Sequence, residues 1–302
     1  MKLSTFNAFK NISLKEGMVE IKGDKLLDLQ NVLLEMLVDL DSVCRRCQIT
    51  YFLSGGSMLG AVRHHGFIPW DDDVDVFMTR KEFNHFKEVF NEEMDSKYYL
   101  QTPENTQDYG ISVPKIRKKG TVVKTKEDKD DPDNCGAWID IFILENTYNN
   151  RFLRLIHEIL CLGFGFALSC RMFYSRKELY LQILNDTKEQ EKICKTKIRI
   201  GRIFSLFSLD TWTKWTLNIY SMCKNDDSRL VVCPSGRKHF NGEIFPRDSF
   251  CNVQEHDFED KRLFISRWYD GYLKIMYGDY MTIPKEEDRE THVVIEFDLG
   301  EK

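Results

Sequence analysis

The chain has 302 residues, 42% of them hydrophobic and 30% charged, with a formal charge of −5. That balance is globular, and its net acidity gives no global reason to bind nucleic acid. No run reaches the roughly 18 uninterrupted apolar residues of a spanning helix, and the first twenty residues hold no apolar core of signal-peptide length.

In chain order, Asp24 to Cys47 predicts a long amphipathic helix. Leu26, Leu29, Leu33, Leu37, Leu40 and Cys44 recur at spacings of three and four, as one buried stripe requires. Ile49–Leu53 reads as a short strand ending at Gly55-Gly56, and Ser57–His65 as a short helix closed by Gly66. Asp73–Met78 alternates acidic and apolar residues, the period of a strand. Thr79 and Glu82 form a capping box that opens a helix over Arg80–Phe90. Tyr98–Gln101, Ser112–Arg117 and Thr121–Lys124 read as strands, 126–134 as a solvated loop, and Ala137–Leu144 as a buried strand. This order argues for an α/β or α+β core.

The composition shifts near Asn149. Residues 151 to about 227 predict mostly helix, followed by short strands near Leu230–Cys233 and Leu263–Ser266 and a helix over Tyr269–Tyr277. Within the helical stretch, Ile159–Cys170 is apolar all round and too short to span a bilayer. It reads as a buried helix or as a shallow contact with a membrane surface. The expected division is a catalytic core over 1–148 and a helical and mixed region over 149–302 completing the cleft. Nine cysteines without regular spacing fit reduced thiols of a cytoplasmic protein better than a disulfide framework. Cys44 and Cys47 form a lone CxxC and read as neighbours on one helix face rather than half a zinc site.

The stretch SGGSMLGAVRHHGFIPWDDDVDVFM concentrates the chemistry. Asp73 and Asp75 share a strand face, and Asp71 joins it if the strand extends. Convergent carboxylates repel one another, and a hard dication, Mg2+ or Mn2+, is the partner that relieves them. Asp72 points the other way and is expected to tolerate replacement. Upstream, a strand running into Gly55-Gly56-Ser57 and then a helix leaves free N–H groups suited to phosphate. Arg63, with His64 or His65, adds positive charge. The pairing resembles the way polymerase-β-like nucleotidyltransferases grip a nucleotide, with a further carboxylate from a neighbouring strand. Asp140, a lone acid in the apolar run WIDIF, is the candidate, as a further ligand or as a base; a hydrogen-bonded structural acid is the alternative. Lys115 and Arg117 fit a phosphate contact or, equally, a solvated strand edge. Trp70 or Trp138 suits a quaternary ammonium by cation–π attraction, with the core as the other place for Trp138. Asp279 and His292 are left as site-lining candidates, and His239 as a surface residue.

The run YFLSGGSMLGAVRHHGFIPWDDDVDVFM, the later WIDIF, and YGDYM followed by Ile283-Pro284 resemble the motifs of the LicD family of phosphotransferases, which fukutin and fukutin-related protein share. The sequence departs from that pattern at Glu145 and Lys285. The resemblance implies a polymerase-β-like core, a mixed sheet flanked by helices, with a largely helical C-terminal half. It implies transfer of phosphocholine from CDP-choline to a hydroxyl of a glycan or lipid-linked oligosaccharide, releasing CMP, with Asp71, Asp73, Asp75 and Asp140 around the metal. Teichoic acid, capsule and lipopolysaccharide precursors are acceptors of that class. Ethanolamine, glycerol, ribitol or sugar phosphate are alternative cargoes, and an inactive scaffold in glycan assembly is the alternative of another class. A lipid-linked acceptor places such an enzyme in the bacterial cytoplasm, at the inner membrane face.

Overall fold

The computed structural model describes residues 3–9, 12, 13, 15, 17–125, 128, 135–289 and 292–300. Its strands are β1 (Tyr51–Leu53), β2 (Val74–Thr79), β3 (Tyr98–Gln101), β4 (Lys115–Lys118), β5 (Val122–Thr125), β6 (Trp138–Asn146), β7 (Leu230–Val232), β8 (Ile244–Pro246), β9 (Val253–Phe258), β10 (Lys261–Ser266) and β11 (Val294–Asp298). Its helices are α1 (Thr5–Phe9), α2 (Asp24–Arg46), α3 (Gly55–His64), α4 (Arg80–Glu93), α5 (Arg151–Ser175), α6 (Lys177–Ile183), α7 (Lys188–Ile203), α8 (Leu209–Tyr220), α9 (His239–Gly242), α10 (Arg247–Phe250) and α11 (Tyr269–Tyr277).

One sheet runs β1-β2-β6-β4-β3, and β7 and β8 extend it from the far half of β6. β2 and β6 are parallel, while β1 on β2, β4 on β6 and β7 on β6 are antiparallel. The sheet is therefore mixed, and the fold is α+β. β6 (WIDIFILEN) is buried along its length except at Phe142, which is why it reads as a nearly unbroken apolar run, as a central strand does. β4 covers its first half and β7 its second. β9 and β10 form a hairpin, and β11 pairs with β5.

Helix α2 buries the stripe its spacing announces, from Leu26 to Cys44. An aromatic cluster locks α10 and α11 to the sheet: Phe77 meets Phe250 and Tyr272 edge-on at centroid distances of 5.5 and 5.7 Å. Such pairs add about 0.5–1.5 kcal/mol each beyond their buried area. A second core, built on Leu168, Phe173, Tyr180, Ile193 and Leu209, holds α5, α6, α7 and α8 together and takes in Ala8 of α1.

Several expectations shift. α3 begins at Gly55 rather than Ser57, and β2 begins at Val74, so Asp73 precedes the strand. Only half of the capping box forms: Thr79 Oγ1 accepts from the Glu82 N–H at 3.3 Å. The Glu82 carboxylate turns instead to the Thr50 N–H at 2.8 Å, so it ties α4 to β1. The apolar segment 159–170 is the middle of a 25-residue helix that is long and apolar enough to cross a membrane, and only 22% of its most apolar window is buried. The reading as a buried helix too short to span is thus corrected. The solvated loop expected over 126–134 lies, apart from Asp128, outside the described residues. β8, β9 and β11 went unforeseen, because their short runs carry charges or proline where a strand signal would show apolar residues.

Candidate active site

The parallel pairing of β2 with β6 sets Asp75 directly opposite Asp140. Paired positions on neighbouring strands point to the same face. The alternation continues upstream of β2: Asp72, Val74 and Val76 are buried, while Asp71, Asp73 and Asp75 are half-buried. These three and Asp140 line one cavity of about 620 Å³, with Gly55, Gly56, Arg63, Lys115 and His292 among its walls. Carboxylate oxygens of Asp73, Asp75 and Asp140 lie within 4.8 Å of one another. A hard dication is bound by such a set of oxygens.

The glycines belong to this cluster. A Cβ on Gly55 would lie 2.5 Å from Asp75 Oδ2, and one on Gly56 2.7 Å from Asp71 Oδ2. Gly55 also has φ +48°, a region that favours glycine. The turn is therefore glycine because the carboxylates occupy the space of its side chains. The Gly55 N–H donates to the Tyr272 hydroxyl of α11 at 3.1 Å. Ser57 is buried, and its Oγ accepts from the Asp75 N–H at 2.9 Å. Its hydroxyl thus clamps β2 to α3 and does not line the cavity.

Burial raises the carboxyls of Asp71 and Asp75 well above the ordinary range, and the charge of Asp73 pushes both further. Asp73 itself is raised to about 6, chiefly by burial, with His292 opposing. Two protein cations meet the cluster. Lys115 Nζ lies 2.7 Å from Asp140 Oδ1, and the Trp138 Nε1–H donates to Asp140 Oδ2 at 2.8 Å. His292 Nδ1 lies 2.9 Å from Asp72 Oδ1, and its main-chain N–H donates to Asp72 Oδ2 at 2.9 Å. Its Nε2 is 3.7 Å from Asp73 Oδ2. Burial works against charge on this imidazole, but Asp72 and Asp73 outweigh it and push His292 up to about 10.

Asp72 does point away from the other acids, yet it is only 4% exposed and anchors His292. The expectation that it tolerates replacement does not fit that place. Arg117 is also corrected. It is 1% exposed and sits in the core, paired with Asp128 and donating to Gln101 Oε1 and the Gly136 carbonyl. Arg63 lines the cavity while its Nη1 donates to the Tyr280 carbonyl at 2.8 Å, which fastens the 280s to α3. Asp279 and Trp70 line the cavity as well. His239 is exposed and outside it. The sequence reading missed Arg289, whose guanidinium lies 4.1 Å from the centre of the Trp70 ring at the cavity wall. It also missed Glu243 and Tyr272, which line the cavity as well. No local spacing links these residues to the acids; they arrive with the last third of the chain.

Residues 48–153 match the family described as LicD/FKTN/FKRP, nucleotidyltransferase domain. The lipopolysaccharide cholinephosphotransferase LicD of Haemophilus influenzae is 28% identical over 278 residues, which cover 90% of this chain and 97% of that protein. Two uncharacterised rickettsial proteins, RT0683 of Rickettsia typhi and RP689 of Rickettsia prowazekii, are similar over short stretches, 35% identical over 57 residues and 33% over 69. These stretches span only 18% and 24% of the two proteins. The matched 48–153 region holds α3, β2, β4 and β6, and with them the glycine turn, all four candidate acids and Lys115.

Proposed function

We propose that the cavity transfers phosphocholine from CDP-choline to a hydroxyl of a cell-surface glycan precursor, with CMP leaving. The register of Asp75 on Asp140 beside the glycine turn carries this reading. It is supported by similarity along nearly the whole length of a protein named as a lipopolysaccharide cholinephosphotransferase. The chemistry would join the acceptor oxygen to the phosphorus that bears choline and break the bond from that phosphorus to the oxygen of CMP. Such transfer depends on in-line positioning and on neutralising charge.

Asp73, Asp75 and Asp140 fit a magnesium or manganese ion: they are clustered oxygen donors, and burial together with neighbouring carboxylates raises the carboxyls of Asp73 and Asp75, a cost that a bound cation would offset. Such an ion supplies charge neutralisation on the bridging phosphates and the leaving oxygen. The chain's own residues do the rest. The N-terminal turn of α3 offers main-chain N–H groups to phosphate. Lys115, Arg63 and Arg289 add positive charge around it. In this reading the proton of the attacking hydroxyl goes to Asp140, or to Asp71, which lies beside Gly56 and outside the ligand triad. Trp138 and Lys115 fix the orientation of Asp140.

The test is CMP release from CDP-choline with a glycan acceptor and magnesium, for the native chain and for Asp73→Asn and Asp75→Asn. Release that survives both substitutions unchanged rejects the mechanism. A thermal-shift panel of CDP- and UDP-linked donors addresses the cargo, and stabilisation by a UDP-sugar instead of CDP-choline reassigns the head group.

A further inference from the structure

Helix α5 leaves one face without protein cover. Phe152, Leu155, Ile156, Ile159, Leu162 and Phe166 fall at spacings of three and four and are all exposed, Phe152 at 69% and Ile159 at 60%. The other side of α5 buries His157, Cys161, Leu168 and Phe173. His157 Nε2 lies 3.0 Å from the Ile219 carbonyl of α8, which holds the helix down. Past the end of α7, the turn at 204–206 adds a second apolar feature. Ile203 is 69% exposed and Leu206 86%. This tip adjoins α5, because the Arg171 Nε–H donates to the Phe207 carbonyl at 3.2 Å. Exposed apolar patches of this extent mark an interaction surface.

The charge around the patch says what covers it. Residues 151–207 contain eleven Lys and Arg against five Asp and Glu, a formal +6 in a chain of −5. Arg151 and Arg154 open α5 beside Phe152. On α7, Lys192, Lys195, Arg199 and Arg202 are exposed at spacings of three and four, and Ile203 follows on the same stripe. Large apolar side chains flanked by basic ones are what the interface of an anionic bilayer selects. A spanning arrangement is disfavoured, because α5 is packed against this charged helix.

We propose that this face, the exposed ridge of α5 together with the Ile203–Phe207 tip, lies on an anionic lipid surface with both helices in the plane of the membrane. Phe9 links it to the cavity: the ring lines the cavity and packs on Phe173 of α5 at 5.8 Å. The inference does not rest on the reaction proposed above, since no residue of the face belongs to the acid cluster.

Sedimentation of the full chain with phosphatidylglycerol–phosphatidylcholine vesicles, beside phosphatidylcholine vesicles alone, tests it. Binding is expected on the anionic vesicles, weakened by high salt, and reduced about tenfold by the double substitution Ile203→Asp, Leu206→Asp. Both side chains face solvent, so the far-UV circular dichroism and melting temperature should not move. Equal sedimentation on neutral vesicles, no sedimentation on either, or unchanged binding by the double variant overturns the proposal. So does light scattering that shows a dimer which the double variant converts to a monomer without vesicle binding, because a second copy of the chain would then be the occupant.

Discussion

Asp75 and Asp140 stand opposite each other in register on the parallel strands β2 and β6. Two elements separated by a helix and three other strands in the chain thus present one pair of carboxylates. Asp75→Asn and Asp140→Asn are each expected to lower transfer by about a hundredfold or more. Magnesium binding by calorimetry should weaken in both, and the double variant should lose little beyond either single one, as groups acting as a unit do. Additive losses would show that the two acids serve separate steps.

Gly56→Ala places a methyl 2.7 Å from Asp71 Oδ2. That oxygen is the end of a side chain and can turn aside, so the fold should survive with a melting temperature within a few degrees of the native value. Activity should fall by about tenfold or more, because the displaced carboxylate leaves its place beside the helix. Full activity in a well-folded Gly56→Ala chain would remove Asp71 from the reaction.

Asp72 holds the 292 segment through a main-chain and a side-chain contact. Asp72→Ala should therefore expose the segment from His292 into β11 to limited proteolysis and to faster hydrogen exchange. Asp72→Asn keeps an acceptor for the main-chain N–H and should show a smaller effect. Equal protection in the alanine variant and the native chain would mean that β5 and the Val19 bridge retain the segment.

Lys115 and Arg117 should separate by phenotype. Lys115→Ala is expected to impair turnover. Arg117→Met strands Asp128 in the core and should cost about 3 kcal/mol of stability in denaturant unfolding. The reverse pattern would place Arg117 at the substrate.

Lys197 is 1% exposed, and its Nζ lies 2.6 Å from Thr5 Oγ1 and 2.8 Å from Ser169 Oγ. Burial lowers its ammonium from 10.5 to about 8. Between these values the unfolded chain holds a proton that the folded chain lacks, so stability rises with pH across that window. Lys197→Met should stabilise the protein at pH 7 by on the order of 1–3 kcal/mol, since Thr5 and Ser169 hydroxyls already bond each other at 3.0 Å. The advantage should shrink as the pH is raised from 8 toward 10. An advantage that stays constant over that range would assign the effect to packing.

The sequence made the acids and their face legible, because a period of two is a local property of β2 and persists through Asp71. It did not reveal how far the cavity runs. Lys115 and Arg117 are two apart on β4 and share a face, but they pair with Asp140 and Trp138 respectively. The indole stands between them, with Lys115 Nζ 4.7 Å and the Arg117 guanidinium 5.2 Å from its centre. One cation therefore faces the acids and the other is sealed behind Trp138. Spacing also hid the reason for Gly55 and Gly56, which is the volume of two carboxylates, and of the partners supplied after residue 230 it offered Asp279 and His292 but hid Glu243, Tyr272 and Arg289. The span of α5 is not legible in the sequence reading, which weighs only the uninterrupted apolar run 159–170 against a bilayer.

The Asp72–His292 contact joins residues 220 positions apart, and this separation imposes an order on biogenesis. A chain emerging from the ribosome exposes the whole aspartate cluster, Asp140 and Lys115 long before the imidazole exists. Through that interval the nascent domain must tolerate its acids with Lys115 and Arg63 as internal counter-charges, or borrow cations from solution. Maturation of the cleft is consequently a late event, in which the final strand docks on β5 and carries His292 onto Asp72.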